Sequence, residues 1–260
     1  MPPATARRLG TIRLGTLKVS RMILGSNPFF GFAHKTKRLA REMRDYYTPE
    51  RICEVLDEAA ALGVTAVAAP VYPHWIEWFG EYRRRGGKLR TWIAQPDPEP
   101  RQMRRAIAAA VEGGAKAVLI QGARADDQFE KRGFRTLRGW VELIQSLGLP
   151  AGIASHRHDT HCEYERRGFP TDFYFQCFYR PVDERYRKAD RERNAAAVAA
   201  IDKPVIAYKI LAAGRNEPAS AFAYAFAHLR PKDGLCVGIY PPTNPNQLAE
   251  NVALTVKHST

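Results

Sequence analysis

Residues that can hold or move protons follow several short apolar runs of this sequence. His156 comes directly after GIAS, and Lys209 ends the run PVIAYK. Imidazole titrates near neutral pH, and a lysine among apolar residues is costly to desolvate unless it is paired or used. We therefore expect acid/base chemistry. The candidate catalytic residues are Lys209, His156, His34, His74, Asp126 and Tyr72.

Lys209 has several chemical interpretations. Its ammonium group could contact an anion or a phosphate, or it could donate a proton. As an amine whose pKa is lowered by burial, it could also form an imine with a carbonyl compound. In the structural alternative, the aliphatic stem packs against the sheet while the ammonium reaches water. The sequence leaves these interpretations open.

Three histidines belong to different segments of the chain. His34, His74 and His156 could converge as metal ligands or as an acid/base set, and their spacing does not decide between the two. The sequence has no HExxH motif, Walker-type loop, nucleophile elbow or zinc-finger spacing. A divalent metal is therefore one possible cofactor, but the sequence assigns no ligands to it.

Side chains with amide and phenol groups form a second set of candidates. Amides read hydroxyl groups or a carboxamide through hydrogen bonds, but they cannot act as general bases. This set favours a small carbonyl or polyhydroxylated, sugar-like substrate. The candidate substrate-binding residues are Asn27, Gln95, Gln121, Tyr179 and Tyr240.

Such distant residues need a scaffold that brings their segments together. Short β-branched runs alternate with longer amphipathic runs, which is typical of βα units around a parallel sheet. Thr48 and Pro49 predict the start of a helix, and Gly63 predicts its end. The eight predicted strands are Arg21–Leu24, Val64–Ala69, Leu89–Gln95, Ala115–Gln121, Pro150–Ser155, Asp172–Gln176, Pro204–Ile210 and Leu235–Tyr240.

We predict an α/β protein with one (β/α)8 barrel, a TIM barrel, over residues 1–260. The segment Thr11–Val19 predicts an N-terminal β-hairpin that turns at Gly15 and could close the bottom of the barrel. The alternative is a doubly wound open sheet, which usually has GxGxxG after its first strand, whereas this chain has GSNPFFG. In a barrel, the loops after the strands carry the chemistry, and the candidate residues follow the predicted strands.

The composition limits the classes of partner that we expect for this protein. The chain has 260 residues, and 40 Lys+Arg against 27 Asp+Glu give a net charge of +13. These basic residues are scattered, so we expect no nucleic-acid partner. We also expect no membrane span, because no apolar run reaches about 18 residues. Four separated cysteines without a CxxC pair fit a cytoplasmic protein with a small-molecule substrate, and the oligomeric state stays open.

The order of several segments resembles that of the aldo-keto reductases. These segments are VSRMILGSNPFFG, GIASHR, FYFQCFY, PVIAYKILAAGR and NQLAENVA. The resemblance implies a nicotinamide cofactor, NAD(P). Ser155 and Gln176 would contact the carboxamide of its ring, and Glu250 and Asn251 would contact its adenine.

The catalytic residues of that family do not carry over. Its Asp falls near Ala69, its Lys at Gln95 and its His at Gln121, so only Tyr72 could stand in for its Tyr. Without the Lys and the Asp, proton donation to a carbonyl would lose a factor of about 10²–10⁴.

The opening GSNPFFGFAH is also similar to that of another group of such barrels. That resemblance implies that Asn27, His34, His74 and His156 lie together, and it implies no reaction. Three hypotheses follow. The first is a lyase or isomerase, the second is an NAD(P)-dependent oxidoreductase with a different proton donor, and the third is a non-catalytic ligand-binding barrel.

Overall fold

The computed structural model describes residues 9–179 and 188–259, in which ten strands form a hairpin and a closed barrel. The hairpin consists of the antiparallel strands β1 (Thr11–Leu14) and β2 (Leu17–Ser20). The remaining strands are β3 (Met22–Gly25), β4 (Ala66–Pro70), β5 (Thr91–Gln95), β6 (Ala117–Ile120), β7 (Ala151–Ser155), β8 (Phe173–Cys177), β9 (Val205–Tyr208) and β10 (Gly234–Val237). They pair in parallel in chain order from β3 to β10, and β10 pairs with β3. The predicted (β/α)8 barrel with an N-terminal hairpin is confirmed, and the open-sheet alternative is wrong.

Helices connect the strands of the barrel. They are α1 (Lys37–Tyr46), α2 (Pro49–Ala61), α3 (Pro73–Arg84), α4 (Met103–Glu112), α5 (Gly122–Glu130), α6 (Phe134–Ser146), α7 (Thr160–Arg166), α8 (Lys188–Ala197), α9 (Pro218–His228) and α10 (Gln247–His258). Short 3-10 helices cover Asn27–Phe30, Pro100–Gln102 and Val198–Ala200. Within the described ranges, no helix is both long enough and apolar enough to cross a lipid bilayer.

Local sequence signals set the ends of helix α2. The hydroxyl oxygen of Thr48 accepts a hydrogen bond from the backbone N–H of Arg51 at 3.4 Å, and Pro49 occupies the first turn, where its missing N–H needs no partner. Beyond the helix, Gly63 has a φ of +87°, a conformation that favours glycine. The predicted start and end of this helix are both confirmed.

The hairpin closes one end of the barrel. Ile12, Leu14 and Val19 belong to the same buried apolar cluster as residues inside the barrel, such as Ile93 and Phe175. The turn at Gly15 lies against Asp172, which directly precedes β8. The hairpin therefore lies at the end where the strands begin, and the opposite end is left for the loops that follow them.

Three predicted strands end earlier than expected. The prediction extended strands to Gln121, Ile210 and Tyr240, whereas β6 ends at Ile120, β9 at Tyr208 and β10 at Val237. The side chain of Gln121 caps α5 by accepting a hydrogen bond from the backbone N–H of Arg124 at 3.2 Å. Lys209 has a φ of +59°, which extended backbone does not permit. The differences at β6 and β9 lie where polar side chains leave the sheet.

Removing the side chain of Leu14 tests the closure of the barrel by the hairpin. Leu14 is fully buried, so Leu14→Ala is expected to lower the free energy of unfolding by about 2–5 kcal/mol. The matched control is Leu147→Ala, because Leu147 is 43% exposed and its loss changes little. Urea unfolding followed by circular dichroism measures both variants. Equal stability of the two variants would contradict a structural role for the hairpin.

Candidate active site

A cavity of about 760 Å³ opens where the barrel strands end. Loops after β3, β4, β5, β6, β7, β9 and β10 contribute to its wall. The size is in the range of small-molecule sites, which occur at this face of such barrels. The lining includes Asn27, His34, Tyr72, Gln95, Asp97, Gln121, His156, Tyr208, Lys209 and Tyr240.

His156 and Lys209 line this cavity and belong to a chain of hydrogen-bonding groups that begins at Asp126, which does not line it. The Nδ1 atom of His156 lies 2.9 Å from Oδ2 of Asp126, and its Nε2 atom lies 3.2 Å from Nζ of Lys209. The side chains of Asp126 and His156 are each only 15% exposed. Asp126 comes from α5, His156 follows β7 and Lys209 follows β9, so the barrel brings together three distant segments.

Asp126 fixes the position of the His156 ring. One of its oxygens accepts hydrogen bonds from the backbone N–H and from Nδ1 of His156, and the other accepts one from the hydroxyl of Ser155. A methyl group at Gly122 would lie 2.9 Å from Cε1 of His156. Glycine at the start of α5 therefore leaves the space that the imidazole occupies.

These contacts assign the hydrogen on the imidazole. A carboxylate only accepts hydrogen bonds, so Nδ1 of His156 carries the hydrogen that points to Asp126. In the neutral ring, Nε2 is then an acceptor, and the ammonium of Lys209 is its donor. Burial lowers the pKa of Lys209 from its ordinary value, while the nearby Cys177 and Asp126 oppose that shift. The pair can pass a proton from the ammonium of Lys209 to the imidazole of His156.

The turn that carries Lys209 is strained. Lys209, Ala212 and Ala213 have φ angles of +59°, +47° and +56°, which are rare for residues with side chains. A single residue in this conformation costs about 1–2 kcal/mol. Hydrogen bonds secure the turn, including one from the backbone N–H of Ala212 to the carbonyl of Lys209 at 3.0 Å and one from the amide of Asn216 to the carbonyl of Ile210 at 2.9 Å. The turn holds the base of the lysine side chain in one place.

His34 lies close to the same groups. Burial, together with the charges of Lys209, His156 and Arg215, lowers its pKa to about 4. The guanidinium of Arg215 donates a hydrogen bond to the carbonyl oxygen of His34 at 3.1 Å. The imidazole of His34 is therefore neutral at pH 7 and can offer a hydrogen bond to a ligand in the cavity.

His74 lies apart from the other two histidines. Its side chain is exposed in the first turn of α3 and packs against the rings of Phe30, Tyr72 and Trp78. It does not line the cavity that His34 and His156 share. In the part of the chain that the structure describes, no group of three or more His, Cys, Asp or Glu side chains is placed to hold a metal ion.

Four of the five predicted substrate-binding residues line the cavity, and one does not. Asn27, Gln95, Gln121 and Tyr240 line the cavity. Tyr179 does not, because its side chain is buried elsewhere and its hydroxyl accepts a hydrogen bond from the amide of Asn216 at 2.8 Å.

Tyr72, a candidate catalytic residue, also lines the cavity. Its hydroxyl donates a hydrogen bond to a carboxylate oxygen of Asp97 at 3.1 Å. Burial, with the charge of Asp97, raises the pKa of Tyr72 to about 12. Because Tyr72 keeps its proton at neutral pH, it is suited to positioning a ligand by hydrogen bonding.

The four residues that the resemblance assigned to NAD(P) point elsewhere. Ser155 is fully buried and bonded to Asp126, and the amide nitrogen of Gln176 donates to the carbonyls of Arg157 and Cys177 at 3.1 and 3.2 Å. In α10, the exposed Glu250 accepts a hydrogen bond from Asn244, and Asn251 is buried. None of the four lines the cavity. These residues do not fit a nicotinamide seat in this arrangement.

Sequence reasoning missed three residues that shape the site: Gly122, Arg215 and Tyr208. The hydroxyl of Tyr208 donates to the carbonyl of Ser155 at 3.1 Å, and its ring centroid lies 5.7 Å from that of His156. The alternation along β9 could have revealed it, because Ile206 and Tyr208 share the face inside the barrel.

The chain matches no protein-family model and no curated protein by sequence. Its fold is similar to a proposed aldo-keto reductase from Pseudomonas aeruginosa, at 19% identity and a TM-score of 0.67, over 98% of this chain and 99% of that one. It is also similar to a truncated form of 3-deoxy-D-arabino-heptulosonate 7-phosphate synthase from Thermotoga maritima, at 14% identity and a TM-score of 0.57, over 96% and 91%. These matches establish the fold. The resemblance to aldo-keto reductases is confirmed at that level.

The low pKa of His34 makes stability depend on pH. The unfolded chain binds a proton at this residue near pH 6.5, whereas the folded chain binds it only near 4, so the free energy of unfolding falls as the pH drops through this window. Between about pH 7 and about pH 5, we expect His34→Gln to remove about 1 kcal/mol of that loss, allowing for the part of His34 that is exposed to solvent. Buried His161 also has its pKa lowered to about 4, so part of the slope remains.

Urea unfolding at about pH 7 and about pH 5 measures the slope. His74→Gln serves as the control, since His74 is exposed and outside the cavity. A wild-type slope in His34→Gln would show that His34 titrates in the folded protein as it does in the unfolded chain.

Proposed function

We propose that this protein is an enzyme that moves protons on a small carbonyl or polyhydroxylated, sugar-like substrate, in the manner of a lyase or an isomerase. The observation that carries the proposal is the hydrogen-bonded chain from Asp126 through His156 to Lys209, the last two of which line the cavity. Structural matches under 20% identity support only the barrel, so the proposal depends on the site.

Each member of the chain has a role in this proposal. His156 takes a proton from a carbon next to the carbonyl group and returns it, and Asp126 stabilises the imidazolium that forms. The ammonium of Lys209 stabilises negative charge that develops on the carbonyl oxygen. Such chemistry needs a base, an acid and an enolate stabiliser, and these three side chains can supply them.

The rest of the cavity suits a substrate with several hydroxyl groups. Gln95, Gln121 and Asn27 bring amide groups to the cavity lining, and His34 brings a neutral imidazole. Amides discriminate among hydroxyl positions because each lost hydrogen bond leaves a polar group unpaired. The amides therefore bind and orient, while His156 and Lys209 carry the reaction.

Exchange of carbon-bound hydrogen with D₂O tests the proposal directly. We expect the protein to accelerate this exchange next to the carbonyl of hydroxyaldehydes or hydroxyketones, with glyceraldehyde and dihydroxyacetone as the first probes. His156→Asn and Asp126→Asn are each expected to lower the rate about 100-fold or more. Proton NMR follows the loss of the C–H signals.

The matched control is His228→Asn, because His228 lies on the outer helix α9 and is bonded to the carbonyl of Tyr224. It is expected to keep the wild-type rate. Full activity in both site variants, or exchange no faster than in buffer, would overturn the proposal. A protein that binds these compounds without exchange would be a ligand-binding barrel.

An oxidoreductase is the second candidate, favoured by the similarity of the fold to proposed aldo-keto reductases. It would need reduced cofactor bound with at least micromolar affinity, roughly −8 kcal/mol. Because Ser155 and Gln176 are bonded within the protein, we expect no saturable binding of NADPH or NADH. Fluorescence titration at low and moderate salt measures it, and saturation retained at moderate salt would favour the oxidoreductase.

A further inference from the structure

We propose that Lys209 is a nucleophile that forms a covalent imine with the carbonyl carbon of an aldehyde or ketone substrate. The inference rests on the proposed function, because it takes the cavity as the substrate site. It goes further by replacing the electrostatic role of the Lys209 ammonium with a covalent bond at its Nζ atom, in a residue that lines that cavity.

The surroundings of the ammonium differ from those of a structural ion pair. Lys203, a comparable lysine, binds the carboxylate of Glu165 at 2.8 Å and the carbonyl of Phe169 at 2.7 Å. Lys209 instead meets the imidazole nitrogen of His156 at 3.2 Å, and no ion pair joins it to a carboxylate among residues 9–179 and 188–259. The partner of Lys209 is a base that can accept its proton.

Asp126 opposes loss of the Lys209 proton to solvent, but it favours transfer of that proton to His156. When the proton moves from Nζ to Nε2 of His156, the positive charge comes to lie on a ring that is 2.9 Å from the Asp126 carboxylate. The charge then forms an ion pair, while the amine left in the cavity is neutral. Burial of Lys209 acts in the same direction, because it disfavours the charged form.

The strained backbone is an independent observation. Glycine or asparagine would adopt a φ of +59° more easily than lysine. Hydrogen bonds of the turn hold the residue in this conformation, which directs the side chain from the end of β9 into the cavity. Backbone strain of this kind is found where a side chain must be presented at a defined position.

The proposed steps balance in atoms and charge. His156 takes a proton from the ammonium of Lys209, and the free amine attacks the carbonyl carbon, so that a C–N bond forms and the C=O π bond breaks. The alkoxide takes a proton, and the nitrogen loses one, to give a carbinolamine. Protonation of its hydroxyl by His156 releases water and leaves the protonated imine, so the net change is ammonium plus carbonyl to protonated imine plus water. The protonated imine draws electrons from the neighbouring carbon, which eases loss of a proton there.

Borohydride trapping tests the inference. The protein is incubated with dihydroxyacetone or glyceraldehyde, sodium borohydride is added, and peptide mass spectrometry locates the reduced adduct. We expect the adduct at Lys209 at least about tenfold above any other lysine, with formation slowed about 100-fold in His156→Asn. Lys209→Met should lose the adduct, and Lys203→Met should keep it, since Lys203 is bonded to Glu165.

The wild-type protein gives the decisive result whether or not the variants fold. Adducts spread evenly over the lysines, or no adduct at Lys209 with either probe, would overturn the inference. Exchange with D₂O in a protein without the adduct would leave the proposed function intact and remove the imine. An adduct at Lys209 without exchange would support the imine and contradict the proposed proton transfer.

Discussion

The carboxylate of Asp126 organises the candidate active site through three hydrogen bonds. It accepts from the hydroxyl of Ser155, from the backbone N–H of His156 and from the ring of His156. The first two hold the start of the loop after β7, and the third determines which nitrogen of the imidazole carries hydrogen. If the carboxylate were absent, the ring could rotate or change tautomer, and its contact with Lys209 would lose its direction. The contact between Asp126 of α5 and the loop after β7 therefore determines the chemistry that the cavity can support.

The barrel makes this arrangement possible because one of its ends is closed by the hairpin, while the other end is open to a ligand. At one end, Leu14 and its neighbours in the hairpin fill the space beneath the interior residues. At the other end, the loops are left to form a cavity, and their lengths set what they contribute. The segment between β3 and β4 carries two helices and brings His34 over the cavity, while the hydroxyl of Tyr47 donates to the carbonyl of Ile239 and fastens this segment to the loop after β10.

The sequence was sufficient for the strands and for the face on which the candidates lie, because hydrophobic periodicity and helix caps are local signals. It also predicted Lys209 as an unusual residue in an apolar run. The direction of individual side chains was less accessible. His74 follows Pro73 in the first turn of α3, and the rotation of that helix turns it to solvent. Tyr179 and Ser155 were assigned to ligands, whereas Asn216 and Asp126 hold them, and no sequence pattern marks such pairs across distant segments.

The pairing of β10 with β3 has a consequence for how the protein is made. Residues 22–24 pair with residues 235–237, so the barrel closes only after most of the chain is available. Contacts over so many residues slow folding, because a long loop must be ordered before the contact forms. Asp126, His156 and Lys209 also come from successive parts of the chain. During synthesis, a ribosome-bound chain would expose the open edges of a partial sheet, and it would gain its amine-imidazole pair only late in assembly.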